Sequence, residues 1–258
     1  MKNKQNVRMK ANYPTELSRS YVLTAGESDA EGLMPLTLVT ERVIETATEH
    51  ANAIGVGYSA LIRKNMGWVL SRLSIEMYRY PKINEAYTLT TWIEAYNRRF
   101  SQRNFRMTAA DGTVLGYMRT IWVAIDFSTR TMADLESFEK SSFPIGDIEC
   151  PIAPAGRLTP IGGNATEERY TFRYCDIDFN RHVNTVRYLA LILNHWPLEH
   201  YDTHTVRRLD MMFRHESRFG DEVLLRTDES NPGKTPCEIV RGNERLLEAQ
   251  IEWKNLNL

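Results

Sequence analysis

The sequence predicts an α+β chain in which one helix followed by an antiparallel meander occurs twice, giving two antiparallel sheets each wrapped around a central helix. Three observations carry this. The stretch from Asp134 to Glu168, with "SSFPIGDIECPIAPAGRLTPIGGNATEE" at its heart, concentrates Pro, Gly and Ser without a sustained period, as a connector does. On either side of it the same succession of elements can be read. The halves also align with each other: "RLSIEMYRYPKINEAYTL" from Arg72 lies over "RLDMMFRHESRFGDEVLL" from Arg208 at an offset of 136 residues. Leu73/Leu209, Ile75/Met211, Met77/Phe213, Ile83/Phe219, Glu85/Asp221 and Leu89/Leu225 agree in character. The expected organisation is residues 1–135, a connector 136–167 and residues 168–258.

Each half opens with a short strand, "RSYVLTAG" in the first and "RYTFRYC" in the second. A polar turn follows, "SDAEGLM" and "DIDFNRH", and then a helix. In "PLTLVTERVIETATEHANAIG", Pro35 suits a first helical turn, and Leu38, Val43, Ile44 and Ala47 share a stripe. In "VNTVRYLALILNHW" the stripe is Val183, Val186, Ala190 and Leu193, with Pro197 as terminator. Strands complete the first half as "SRLSIEMYRY", "EAYTLTTWIEAYN", "SQRNFRMTAAD" and "TVLGYMRTIWVAID", with a hairpin at Asp111-Gly112. The second half ends in "VRRLDMMFRH", "DEVLLRTDE", "PCEIVRG" and "RLLEAQIEWK".

Composition sets outer bounds. The chain has 258 residues, 42% hydrophobic and 25% charged, enough to bury a substantial core. A formal charge of −1 gives no global attraction to nucleic acid or anionic membrane, so an acidic partner needs a local basic patch. The opening "MKNKQNVRMK" is basic with no apolar run behind it and does not read as an export signal. No apolar run nears the roughly 18 residues that span a bilayer. Cys150, Cys175 and Cys237 are widely spaced and fit neither a disulfide framework nor a zinc site, so a reducing, cytoplasmic setting is expected.

The polar turn of the second half is the chemical signal. In an extended backbone Asp176, Asp178, Asn180 and His182 face one side, because alternate side chains do; in a helix Asp178 and His182 are still i,i+4 neighbours. The start of the following helix adds unpaired N–H groups and a partial positive charge. A carboxylate, an imidazole and an N–H cradle are parts for adding water to a carbonyl. The same residues are also ordinary caps and turn formers. The first half serves as an internal control: "SDAEGLM" leads into a helix without Asn or His, so capping does not require the second half's set.

"DIDFNRHVNTVRYLALIL" resembles the D-x-D-x-N-x-H-V-N-x-x-x-Y segment of acyl-acyl carrier protein thioesterases, the plant FatA/FatB type with bacterial relatives. "NMGWVLSRLSIEMYRYPKINEAYTLTTWIE" is similar to that family's "W-V-x-x-R", "R-Y-P" and "T-W" strand pair, and "TIWVAIDFSTR" to its "W-V-x-x-x-x-x-T-R". The likeness runs from about Leu36 to Trp253. It implies a tandem (double) hotdog fold, and hydrolysis of fatty acyl thioesters to free fatty acid and carrier thiol. No cofactor or metal is implied. The implied partner is acyl carrier protein bearing the acyl group, with room for a homodimer. By position the resemblance assigns catalytic roles to Asp178, Asn180, His182 and Glu216. Ser217 follows Glu216 where many plant members carry Cys, so no thiolate stands there. Strand alternation sets Glu216 on the charged face with Asp210 and Arg214, unless a bulge re-aims it.

Between a free Asp (pKa about 3.9) and a free His (about 6.5), the histidine is the better unshifted base. Enclosure by Ile177, Phe179 and the helix would raise the basicity of Asp178 and lower that of His182. Asp178 is therefore expected as base or nucleophile, with Asn180 and His182 orienting it and the water. Ile54, Val56, Leu61, Met66 and Trp68 are expected to help form an acyl slot in the first half. Arg98, Arg99, Arg103, Arg106, Arg207 and Arg208 are candidates for docking the acidic carrier. "HWPLEHYDTH" offers His195, His200, Asp202 and His204 but no familiar metal spacing, and "NPGKT" lacks the first Gly of a phosphate loop and reads as a hairpin turn. Rival readings are a hydratase or dehydratase of the same fold, an acyl-CoA thioesterase, and a non-catalytic acyl-carrier-binding protein.

Overall fold

The computed structural model describes residues 13–135, 138, 143–231 and 233–256. The basic opening, part of the connector and Pro232 of the hairpin turn lie outside them. Strands β1 (Glu16–Val22), β2 (Met66–Met77), β3 (Ala86–Tyr96), β4 (Ser101–Ala109), β5 (Val114–Asp126) and β6 (Thr131–Met132) belong to the first half. In the second are β7 (Thr166–Thr171), β8 (His204–Phe213), β9 (Glu222–Thr227), β10 (Lys234–Arg241) and β11 (Glu244–Asn255). Helices α1 (Leu36–Ala53) and α2 (Tyr58–Ile62) follow β1; α3 (Thr185–Leu193) and α4 (Leu198–Tyr201) follow β7.

The two expected sheets are joined edge to edge. Antiparallel pairing of β2 with β8, from Arg72 opposite Met212 to Glu76 opposite Arg208, fuses them into one sheet ordered β1-β3-β4-β5-β2-β8-β11-β10-β9-β7. Alternation sends Leu73, Ile75, Leu209 and Met211 toward the helices, where they pack with Leu36, Val39 and Val43 of α1 and with Leu189 and Ile192 of α3. In α3 the buried stripe is Tyr188, Leu189 and Ile192, while the expected Val186, Ala190 and Leu193 are half-buried. This short helix is apolar nearly all round, so period alone does not choose its inner face.

The halves repeat one another bond for bond. Arg214 and His215 N–H both donate to the Leu246 carbonyl at 2.8 and 3.2 Å; Tyr78 and Arg79 donate to Leu115 at the same two distances. These paired donations are bulges that end β8 and β2. Phe172 N–H donates to Asp221 at 3.1 Å, as Leu23 does to Glu85 at 3.0 Å.

Phe143 of the connector packs with Ala51, Ile54 and Leu61 on the helix side, and from Ile148 the connector is a strap over the opposite sheet face. Its Ile145 bridges to Ile93, and Gly146 lies where a Cβ would come 2.7 Å from the Trp92 side chain. Arg119 donates to the carbonyls of Cys150 (2.6 Å) and Ile152 (2.8 Å), and Arg208 to that of Ala153 (2.8 Å). Farther on, Thr159 reaches Gln250 and Gly162 reaches Asp228. These bonds satisfy strap backbone that no ladder serves.

Candidate active site

The loop between β7 and α3 is folded back on itself, neither the extended run nor the helix that the sequence left open. Ile177 bridges to Val183, and Asp178 N–H donates to the His182 carbonyl at 2.8 Å. Arg181 takes a left-handed backbone (φ 65°) to make this turn. Asp178 Oδ1 accepts the N–H groups of Asn180 (2.8 Å) and His182 (3.2 Å), so one oxygen is spoken for by backbone. Asn180 is exposed and meets Asp178 through that N–H. Asp176 points elsewhere: it is buried, accepting from Tyr170 Oη (3.0 Å) and Arg173 N–H (2.8 Å). The single file of four polar residues is therefore divided between a turn brace and the loop mouth. Phe179, expected to enclose Asp178, is 76% exposed and meets the Tyr58 ring edge-on at 5.7 Å.

Glu216 joins this loop. The bulge at Arg214–His215 breaks strand alternation and swings the Glu216 carboxylate to His182, whose Nε2 lies 3.2 Å from Oε2. The same oxygen accepts from Arg130 Nη2 at 2.6 Å. Arg130 and Tyr58 belong to the first half, and sequence reasoning gave neither a role. The "T-R" of "TIWVAIDFSTR" was the available signal for Arg130.

The helix start is largely occupied. Asn184 caps α3 with Oδ1 on Val186 N–H (2.9 Å), and its carbonyl takes Arg187 N–H. Val183 N–H donates to Ser217 O and Asn184 N–H to Asp176 O. Among the described residues, Thr185 is the one whose N–H is left for another acceptor.

The first half holds the same loop without the chemistry. Asp29 N–H donates to Leu33 O (2.9 Å), Asp29 Oδ1 accepts Leu33 N–H (2.8 Å), and Met34 N–H donates to Pro81 O (2.9 Å) as Val183 does to Ser217 (2.8 Å). Gly32, φ 71°, takes the left-handed place of Arg181. Leu33 stands where His182 is and Glu31 where Asn180 is. Tyr80 takes the place of Glu216, its hydroxyl bonded to Val206 O. Burial raises the carboxyls of Asp29 and Glu31 above the usual range, and the charges of Asp29 and Asp202 add to the shift of Glu31.

Other expectations sort by face. Arg103 cannot dock a carrier: it is 4% exposed and points inward with Phe105 and Met107. Its guanidinium donates to His50 Nδ1 at 2.6 Å, so His50 carries its proton on Nε2 and donates to Pro14 O at 2.9 Å. Burial and the Arg103 charge push His50 down to about 4, and burial lowers Arg103. Arg208 is also buried, paired with Asp210 and Glu76, and Arg98 pairs with Asp134. Ile54, Val56 and Leu61 form one buried cluster against which Met66 and Trp68 pack. His195 lies between Glu168 and Glu229, and His200 stacks on His204 at 4.5 Å. No described helix is long and apolar enough to cross a membrane.

Comparison with known proteins agrees with this arrangement. Residues 14–137 match the family model of the acyl-ACP thioesterase N-terminal domain, and residues 162–255 that of the C-terminal domain. A crystal structure of an acyl-ACP thioesterase from Bacteroides thetaiotaomicron superposes with a TM-score of 0.87 at 31% identity, covering 93% of this chain and 98% of that one. The 12:0-ACP thioesterase from Umbellularia californica shares the fold, with a TM-score of 0.85 at 19% identity over 94% of this chain and 98% of that one. A palmitoyl-acyl carrier protein thioesterase, chloroplastic, from Gossypium hirsutum is 24% identical across 88% of this chain, which spans 63% of that relative's length. The duplicated hotdog sheet, the loop it carries and these matches together place the chain in the acyl-ACP thioesterase family.

Proposed function

We propose that the chain hydrolyses fatty acyl thioesters of acyl carrier protein, releasing free fatty acid and the carrier thiol. The observation that carries this reading is the meeting of His182 with Glu216 beside the braced Asp178 carboxylate, in a chain of this family. Asp178 keeps Oδ2 for chemistry. As base it takes a proton from water while the water oxygen adds to the carbonyl carbon; as nucleophile it adds directly, and water then cleaves the acyl-enzyme anhydride. Either way the C–S bond breaks and the carrier leaves as the thiol. His182 Nε2 lies 3.2 Å from Glu216 Oε2, a contact that orients the ring toward the loop. Thr185 N–H receives the developing oxyanion. A positioned base contributes about 10²–10⁴-fold and one oxyanion donor about 10²–10³-fold, so the two together suffice for an enzyme where neither does alone.

Helix α2 links the cluster of Ile54, Val56 and Leu61 to this loop, sending Leu61 inward and Tyr58 out to Phe179. We assign the acyl chain to that side. Exposed Arg181 and Arg218 flank the loop and replace Arg103 and Arg208 as the groups facing an acidic carrier. Incubation with matched acyl-carrier and acyl-CoA thioesters tests the reading. Thiol and free acid released in equal amounts, faster from the carrier, are expected. A change in chain unsaturation without thiol release, or binding alone, would replace hydrolysis, and equal rates would remove the preference for the carrier.

A further inference from the structure

Arg130 is aimed at the catalytic loop by a turn built for the purpose. Asp126 Oδ1 accepts the N–H groups of Ser128 (2.8 Å) and Thr129 (3.0 Å), and Arg130 N–H donates to Asp126 O at 2.9 Å. Asn65 fastens the turn from outside, its carbonyl taking Phe127 N–H (2.9 Å) and its amide donating to Ser128 Oγ (2.7 Å). Arg130 is held at φ 57°, a left-handed conformation that residues with a Cβ rarely adopt. From there its Nη2 reaches Glu216 Oε2 at 2.6 Å, across 86 residues of chain and from the other half of the molecule. That oxygen is also the one 3.2 Å from His182 Nε2.

We propose that Arg130 is a positioning residue for the hydrolysis assigned above, clamping Glu216 so that its carboxylate fixes the His182 ring. This rests on the reading that His182 serves the reaction. Arg130 touches Glu216 and not the reacting atoms. The site is thus completed by the first half.

The test uses the full chain and two substrates with the same acyl group, one on acyl carrier protein and one on N-acetylcysteamine, which has neither protein nor phosphate. Values of kcat and KM are measured for wild type, Arg130→Met, Arg130→Lys and Glu216→Gln, with melting temperatures to show that each is folded. Arg130→Met should lower kcat about tenfold on both substrates with KM nearly unchanged. Glu216→Gln should lower kcat in the same way, and Arg130→Lys should restore most of the rate. If the Met variant does not fold, Arg130→Gln reads the same split. A wild-type kcat in Arg130→Met, alongside an impaired Glu216→Gln, overturns this inference alone. A rise confined to KM for the carrier substrate also overturns it and makes Arg130 a docking residue. No thiol release by wild type overturns both readings.

Discussion

In this loop the bracing by Asp178 and the chemistry proposed for it fall to different oxygens. Asp178 braces the turn with Oδ1, and an asparagine there would accept the same two N–H groups, so the proposed role can be tested without loss of the brace. Ser217 is fully buried with Tyr188 against it, and its carbonyl holds Val183 N–H. Ser217→Ala should therefore leave kcat within about threefold, because the backbone bond survives the change and the enclosed hydroxyl is out of reach of a substrate. A loss of a hundredfold in kcat would put that hydroxyl in the mechanism. His50 carries a pH dependence of its own. Its folded pKa of about 4 lies below the ordinary 6.5, so the unfolded chain binds the extra proton first. The stability it contributes is complete above pH 6.5 and is lost as pH falls toward 4, by about 3 kcal/mol. Urea midpoints between pH 7 and 4.5 should flatten in His50→Gln; an unchanged slope would show that His50 is not the source.

At the scale of elements, the strap and the bulges are the parts that the sequence did not disclose. Arg119 binds Cys150 O, Ile152 O and Glu94 together while only 13% of its side chain is exposed. Arg119→Met leaves two carbonyls and a carboxylate short of donors and should cost about 2 kcal/mol, read as a lower urea midpoint and faster proteolysis between Cys150 and Pro160. Activity of the folded fraction should hold, since the strap lies on the face away from α1 and α3; an equal fall in kcat would contradict that separation. Strands were legible because inner and outer residues alternate in β2, β5, β8 and β11. The same alternation already set Arg103 on one face with Phe105 and Met107, so its burial was readable and was overlooked. The strap has no period to read, because its bonds go to side chains of a sheet distant in sequence. Alternation alone set Glu216 on the charged face unless a bulge re-aimed it, and one does: two N–H groups on one carbonyl shift the register just before it.

Across the whole molecule, duplication explains both what could be read and what could not. Hydrophobic positions of the two halves match at a constant offset because they fill equivalent places around α1 and α3, and that was visible from sequence. The pairing of β2 with β8 and the reach of Arg130 to Glu216 join segments far apart in sequence, and no local pattern encodes them. The two loops also supply a matched experiment, since Asp29 and Asp178 make the same backbone bonds but only the second has His182 and Glu216 beside it. The decisive measurement is the rate of thiol release from acyl carrier protein by Asp178→Asn and Asp29→Asn, each shown to melt as a folded protein. Asp178→Asn should lose about 10²–10⁴-fold in kcat while Asp29→Asn stays within a few-fold of wild type. Near-wild-type turnover by Asp178→Asn, or an equal loss in both, would contradict the assignment of the chemistry to the second loop.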